Sequence, residues 1–155
     1  MKKIILLAAL MLGLTVAASA QPRAIGLRGG YGIEASYQHT LSKTNFVQAD
    51  LGFTAGGFNM TATYNWMLFK PQWTDRGEWG VYAGPGVTLG SKVYSTLSYR
   101  PGFHIGVAGI VGLEYTFWFP LQLSVDIRPQ FGLGLGPVGF HHSGYWPTIG
   151  ARYTF

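Results

Sequence analysis

The stretch that decides the fold is Leu121-Gln122-Leu123-Ser124-Val125-Asp126-Ile127-Arg128-Pro129-Gln130-Phe131. Every odd position carries an apolar residue and every even position a polar or charged one, without a break. Because successive side chains of a β-strand point to opposite faces, this period of two predicts a strand with one apolar and one polar face. The three-to-four-residue spacing of an amphipathic helix is sustained nowhere from Gln21 onward.

The same alternation recurs in five further segments, in which glycine often takes the polar-face position. These segments are residues 47–55, 60–68, 79–89, 103–117 and 145–155. Between them lie residues typical of turns, which predict connections at 42–45, 56–57, 70–78, 91–102, 119–120 and 132–144. The chain is therefore predicted to be all-β.

The N-terminal 20 residues have a different character. Lys2 and Lys3 precede an apolar run of 13 residues from Ile4 to Val16, and Ala18-Ser19-Ala20 follows. This order is typical of a cleaved secretory signal peptide, and the run is short of the ~20 residues that span a bilayer as a helix. We therefore expect residues 1–20 to be removed and residues 21–155 to form one domain.

Composition excludes several functional classes. Without the leader's two lysines, nine of the chain's 11 basic residues remain against six acidic ones, which is too thin a surplus for a nucleic-acid surface. The chain has no cysteine, so disulfides, thiolate metal sites and cysteine catalysis are all excluded.

Residues 24–41 leave two interpretations open. Apolar residues keep the odd positions throughout, which fits either one long strand or two strands joined by a three-residue loop near Gly29 to Gly32. Six later strands make seven or eight in total. Single-chain bacterial outer-membrane barrels have even strand counts, so the sequence predicts eight, with both termini on the periplasmic side.

Charged residues decide which face of the sheet points outward. Seven charges fall within predicted strands, and all seven lie on the polar face: Arg28, Glu34, Asp50, Glu114, Asp126, Arg128 and Arg152. The other eight lie near the N-terminus or in connections: Arg23, Lys43, Lys70, Asp75, Arg76, Glu78, Lys92 and Arg100. A soluble barrel would need a polar outer face rich in Lys and Glu, whereas this polar face is mostly Gly, Thr, Ser and Gln.

The sequence therefore predicts a transmembrane antiparallel up-and-down β-barrel in the cell outer membrane. Its apolar face would contact membrane lipid, and its seven strand charges would form a balanced network in the lumen, beside Gln38, Gln48, Asn65 and Tyr82. Eight strands enclose just enough room for side chains, so general diffusion is not expected, although a narrow polar conduit stays open as an alternative. We expect a monomer with no cofactor.

Aromatic residues cluster near the predicted strand ends, as in interfacial girdles. They are Phe46, Trp66, Phe69, Trp79, Phe103, Tyr115, Phe117, Tyr145, Tyr153 and Phe155.

The C-terminal Ile149-Gly150-Ala151-Arg152-Tyr153-Thr154-Phe155 resembles the assembly signal of outer-membrane barrels. By that resemblance, the barrel-insertion machinery would read Tyr153 and Phe155. Residues 24–32, 57–61, 112–115 and 120–124 also resemble a family of short, glycine-rich outer-membrane β-barrel proteins, over essentially the whole chain after the leader. The resemblance implies a location and a fold, and little chemistry.

One motif raises the possibility of catalysis. His141-His142-Ser143 lies on a predicted connection, and its His-x-Ser spacing is similar to that of outer-membrane lipid A deacylases. That resemblance makes Ser143 the nucleophile and His141 the base. No Asp or Glu follows Asp126, however, so we expect a solvated polar loop and no enzyme.

Other chemistry is weaker still. Adjacent histidines on an extended chain point in opposite directions, and His104 belongs to another strand, so no metal site is expected. Residues 132–136, Gly-Leu-Gly-Leu-Gly, precede no helix that could bind a phosphate. We expect a structural or surface-interaction role, in which the connections 91–102 and 132–144 present Tyr94, Tyr99, Arg100, His141 and Tyr145 to an unknown ligand.

Overall fold

The structure is a computed structural model that describes residues 23–30, 32–54, 57–94, 100–135, 140–143 and 145–155. The predicted leader, Tyr31 and Tyr99 lie outside the described residues, as do the side chains of Tyr94, Arg100 and His141. The strands are β1 (Arg23–Gly29), β2 (Ile33–Thr40), β3 (Asn45–Thr54), β4 (Gly57–Phe69), β5 (Glu78–Tyr94), β6 (Arg100–Thr116), β7 (Gln122–Ile127), β8 (Gln130–Leu135), β9 (Phe140–Ser143) and β10 (Pro147–Thr154).

These strands form one closed antiparallel sheet. Each of β1 to β5 pairs with the next strand, β6 pairs with both β7 and β8, and β8 pairs with β9. β10 pairs with both β7 and β1, which closes the sheet. Since β7 with β8, and β9 with β10, each make one interrupted barrel strand, the barrel has eight. The prediction of an eight-stranded antiparallel barrel is confirmed.

The first hairpin is resolved as two strands. β1 pairs with β2 from Arg23↔His39 to Gly29↔Ile33, and residues 30–32 connect them. The single-strand alternative for residues 24–41 is wrong, and the three-residue loop is confirmed. An odd-numbered loop keeps the apolar odd positions on one face of both strands.

The interruption between β7 and β8 lies inside the stretch that decides the fold. Burial alternates without a break from Gln122 to Phe131, as predicted, but β7 ends at Ile127 and β8 begins at Gln130. Pro129 has no N–H to donate to a neighbouring strand. The Pro129 carbonyl still accepts a hydrogen bond from the Gly109 N–H at 2.9 Å, so the chain stays beside β6 between β7 and β8.

Two predicted connections are wrong in their bounds. Residues 132–135 belong to β8 and 140–143 to β9, although the interval 132–144 was expected to be a loop. Likewise β5 runs to Tyr94 and β6 begins at Arg100, within the expected connection 91–102. Glycine suggested turns in these segments, whereas in strands it takes inward positions such as Gly132, which is paired with both Gly106 and His141.

The distribution of polar and apolar side chains is the reverse of that in a soluble protein. The seven charges predicted for inward strand positions point inward, and Arg28 and Arg152 are each 1% exposed. Large apolar residues cover the outside, as with Leu133 at 68% and Ile149 at 64% exposed. Phe46, Tyr82 and Ile110 form a small apolar cluster inside the barrel. The part of the chain that the structure describes contains no helix long and apolar enough to span a bilayer.

Candidate functional site in the barrel interior

Five charged side chains meet across the middle of the barrel. Arg28 is the centre: its Nη1 donates to Asp50 Oδ2 at 2.7 Å and to Glu34 Oε2 at 3.3 Å, and its Nη2 bonds Asp126. Arg128 Nη1 reaches Asp50 Oδ2 at 2.5 Å, and its Nη2 reaches Glu34 Oε1 at 2.5 Å. These five residues, here called the central ion network, come from four strands and the β7–β8 link.

Neutral side chains complete the hydrogen bonds of the central ion network. Thr148 Oγ1 accepts from Arg28 Nη2 at 2.7 Å and lies 2.8 Å from Asp126 Oδ1. The Tyr82 hydroxyl donates to Asp126 Oδ2 at 3.1 Å, and Gln48 Nε2 donates to Asp50 Oδ2 at 2.7 Å. A buried ion pair needs such additional bonds because its charges have lost their hydration. Nothing in the sequence singles out Thr148 beyond its position on the polar face.

Glycine makes room for these large interior groups. A Cβ added at Gly52 would lie 3.0 Å from Glu34 Cγ, and one added at Gly112 would lie 2.5 Å from the Tyr82 ring carbon Cζ. Gly52 and Gly112 therefore sit beside bulky side chains on neighbouring strands. At other inward glycines, such as Gly26 and Gly84, an added Cβ would instead meet the backbone of the neighbouring strand.

The other two predicted network members lie apart from the central five. Arg152 Nε donates to Ser36 Oγ at 2.9 Å, and its Nη1 donates to Ser124 Oγ at 2.9 Å and Gln122 Oε1 at 3.4 Å. Glu114 is also buried, and it forms no ion pair within 4.0 Å among the described residues. The seven strand charges thus form one network of five and two separately buried groups.

An uncharged polar layer lies beyond the central ion network, farther from the chain termini. Gln130 is its hub: its Oε1 accepts from Asn59 Nδ2 at 3.0 Å and Thr88 Oγ1 at 3.2 Å, and its Nε2 donates to Thr61 Oγ1 at 3.2 Å. On the other side of the network, Gln38 Nε2 donates to Gln48 Oε1 at 2.9 Å. The interior is therefore filled by side chains over several layers.

An open vestibule lies at the end of the barrel that carries the termini. It has a volume of about 590 Å³, and its charged lining residues are Arg23, Lys43, Lys70, Glu78 and Glu114. Lys70 Nζ and Glu78 Oε2 are 2.9 Å apart, but both side chains are at least half exposed, so this pair contributes little to stability.

The proposed catalytic pair does not lie on a loop. His141 and Ser143 belong to β9, so the expectation of a solvated polar loop is wrong. Ser143 Oγ donates to Gln130 Oε1 at 3.4 Å, and the His141 side chain is outside the described residues. His142 packs outward, with its ring 6.2 Å from that of Phe140 and 5.9 Å from that of Tyr145. The described residues contain no cluster of three or more side chains suited to a metal.

Aromatic rings are concentrated on the outside at the termini end. Trp79 lies 4.7 Å from Tyr115, which lies 4.5 Å from Phe117, measured between ring centroids. Tyr153 and Phe155 stack at 6.3 Å and are exposed. Phe46, expected in this girdle, instead points inward against Tyr82, because it shares the inward register of Gln48.

Comparison with known proteins identifies a fold and no family. No family model and no curated protein matches this chain. Among solved structures, it is similar to the crystal structure of the N-terminal β-barrel domain of Pseudomonas aeruginosa OprF, with a TM-score of 0.65 and 13% sequence identity over 87% of this chain and 96% of that one. At this identity the likeness concerns the fold alone. The chain thus has the fold of a closed, eight-stranded outer-membrane-type β-barrel.

Proposed function

We propose that this protein is inserted in the outer membrane and has a structural or surface-interaction role without enzymatic activity. The observation that carries the proposal is the outward apolar face combined with the inward charges. In water, such a surface would expose an apolar area far larger than monomeric soluble proteins tolerate. In a bilayer the same surface contacts acyl chains, while the closed sheet pairs its backbone groups.

The proposed orientation places the termini in the periplasm. Arg23 and Phe155 exchange backbone hydrogen bonds of 3.0 and 2.8 Å, so both described ends of the chain lie at one end of the barrel. The connections at 41–44, 70–77 and 117–121 share that end, and the strand ends Tyr94, Arg100, Leu135 and Phe140 lie at the other. The exposed Tyr153 and Phe155 are available there to the insertion machinery.

The filled interior supports a structural role over transport. The central ion network crosses the barrel, and the Gln130 layer lies beyond it. We propose that the partners are membrane lipid, the insertion machinery during assembly, and a surface ligand that binds the residues expected to face it, within 91–102 and 132–145. Tyr145, expected to face such a ligand, is exposed. The bond from Ser143 to Gln130 gives no support to the acyl-hydrolase alternative.

Membrane insertion is tested by refolding the chain without its leader, in detergent or in lipid vesicles. A folded barrel should migrate differently on a denaturing gel before and after boiling, and it should stay with vesicles after carbonate washing. A mature chain that folds and stays monomeric in detergent-free buffer would contradict the proposal. For orientation, protease added to intact cells should cut at 95–99 or 136–139; cleavage confined to 41–44 or 70–77 would invert it.

A further inference from the structure

The wall of the barrel is uneven in height. β1 and β2 have 7 and 8 residues, whereas β5 and β6 have 17 each. A transmembrane strand needs ~9–11 residues when tilted by about 45°. With about 3.3 Å per residue, β1 and β2 cover roughly 16–19 Å of an apolar band about 25 Å tall. The β1–β2 hairpin is therefore too short to cross the band.

The neighbouring barrel strand continues beyond this hairpin. Gly29, the last residue of β1, pairs with Ile149 of β10. β9, the other part of the barrel strand that contains β10, lies farther from the termini. In the described part of the chain, β9 pairs with β8 alone. Among the described residues, its other edge thus faces a gap above the β1–β2 hairpin.

Inward side chains that border this gap are partly exposed. By contrast, three inward residues on other strands are each at most 2% exposed: Thr61 on β4, Thr88 on β5 and Gln130 on β8. Ser143 and Thr148, which border the gap, are partly exposed although both bond interior side chains. Glu34, at the upper end of β2, is the most exposed acid of the central ion network, with 16% of its side chain accessible. Three polar side chains of the interior that lie beside the gap are thus accessible to solvent in part.

Open sheet edges and irregular backbone are not tolerated against hydrocarbon, because unpaired backbone groups find no water there to bond. We propose that this gap is a lateral lipid-binding site in the leaflet farther from the termini. An amphiphilic membrane lipid lies in it with its polar headgroup against β9, Ser143 and Thr148 and its acyl chains in the bilayer. This inference rests on the proposed membrane insertion.

The chain has no cysteine, so one introduced cysteine can be labelled specifically. The test attaches a bimane fluorophore at Ser143→Cys and, as the matched control, at Thr88→Cys. Both native hydroxyls bond Gln130 Oε1, but Thr88 lies on the tall β5. Leu133→Cys, on the exposed outer face, reports membrane insertion itself. Each labelled barrel is placed in phosphatidylcholine nanodiscs with and without a lipid that carries a nitroxide quencher on its acyl chain near the headgroup.

We expect the quencher lipid to remove most bimane fluorescence at position 143 and at position 133, and little at position 88. Lengthening the β1–β2 hairpin by two residues in each strand should restore the fluorescence at position 143. Quenching at position 133 without quenching at position 143 would overturn the lateral site and leave membrane insertion standing. Equal quenching at 88 and 143 would also overturn the site, since the lipid would then not enter from one side. No quenching at position 133 would instead refute membrane insertion.

Discussion

Arg28 on β1 and Asp126 on β7 are joined side chain to side chain inside the barrel, although 98 positions separate them in the sequence. Arg28 also bonds Asp50 and Glu34, so one guanidinium links four strands. Its own side chain has no solvent exposure. A guanidinium placed in this way holds the closed form of the sheet, because opening the barrel would leave three carboxylates without their shared partner.

Replacing Arg28 should therefore be costly. We expect Arg28→Met to lower the free energy of unfolding by about 3–5 kcal/mol, the range for breaking a buried ion pair by removing one partner. Lys70→Met is the control: it removes an exposed ion pair and should cost at most about 1 kcal/mol. Urea unfolding in lipid vesicles, followed by tryptophan fluorescence, measures both. Equal losses for the two variants would contradict a stabilising role of the network.

A double-mutant cycle tests the division of the charges into five and two. Arg128 Nη2 and Glu34 Oε1 are 2.5 Å apart. The effects of Arg128→Met and Glu34→Gln on the free energy of unfolding should therefore be non-additive, by about 0.5–3 kcal/mol. Glu114→Gln removes a buried carboxylate that forms no bond with Arg128 among the described residues, and it should combine additively with Arg128→Met. Coupling of Arg128 to Glu114 as large as that to Glu34 would mean that all seven charges act as one network.

A charge placed on the outer face separates a membrane barrel from a soluble one. Val125 is exposed halfway along the wall, so Val125→Arg should destabilise the barrel in vesicles by about 2–4 kcal/mol. Trp73→Arg, in the connection 70–77, changes an exposed residue outside the wall and should cost about 0–1 kcal/mol. Vesicle unfolding curves measure both variants. If Val125→Arg were neutral, position 125 would not contact hydrocarbon.

Ser143 provides a direct test of the non-enzymatic role. Because its hydroxyl bonds Gln130, we expect Ser143→Ala to leave the acylation of lipid A unchanged in cells that express the protein. Mass spectrometry of extracted lipid A compares wild type, variant and cells without the protein. A deacylated species that depends on Ser143 would contradict our proposal and restore the acyl-hydrolase alternative.

Much of this architecture is predictable from the two-residue period alone. Alternation around Asp126 determines which face each residue takes, and six of the seven charges that it assigns to the polar face are buried, while Glu34 keeps 16% of its side chain accessible. It cannot give the partners, since the contact between Arg28 and Asp126 depends on closure of the sheet and on the tilt of its strands. It also misplaced the ends of β8 and β9, because glycine is typical of turns and only the completed sheet shows that a glycine such as Gly132 fills an inward strand position.

Gly112 offers a test of how tightly the interior is packed. Because an added Cβ would lie 2.5 Å from Tyr82 Cζ and 2.6 Å from the Tyr82 hydroxyl oxygen, we expect Gly112→Ala to destabilise the barrel by about 1–3 kcal/mol. Gly29→Ala is the matched control, since an added Cβ there meets nothing within 4 Å and should cost little. Tyr82→Leu, which shortens the opposing side chain, should reduce the penalty of Gly112→Ala when the two are combined. Unfolding in vesicles measures all four variants, and an unchanged penalty in the double variant would show that the strain arises elsewhere than at the Tyr82 ring.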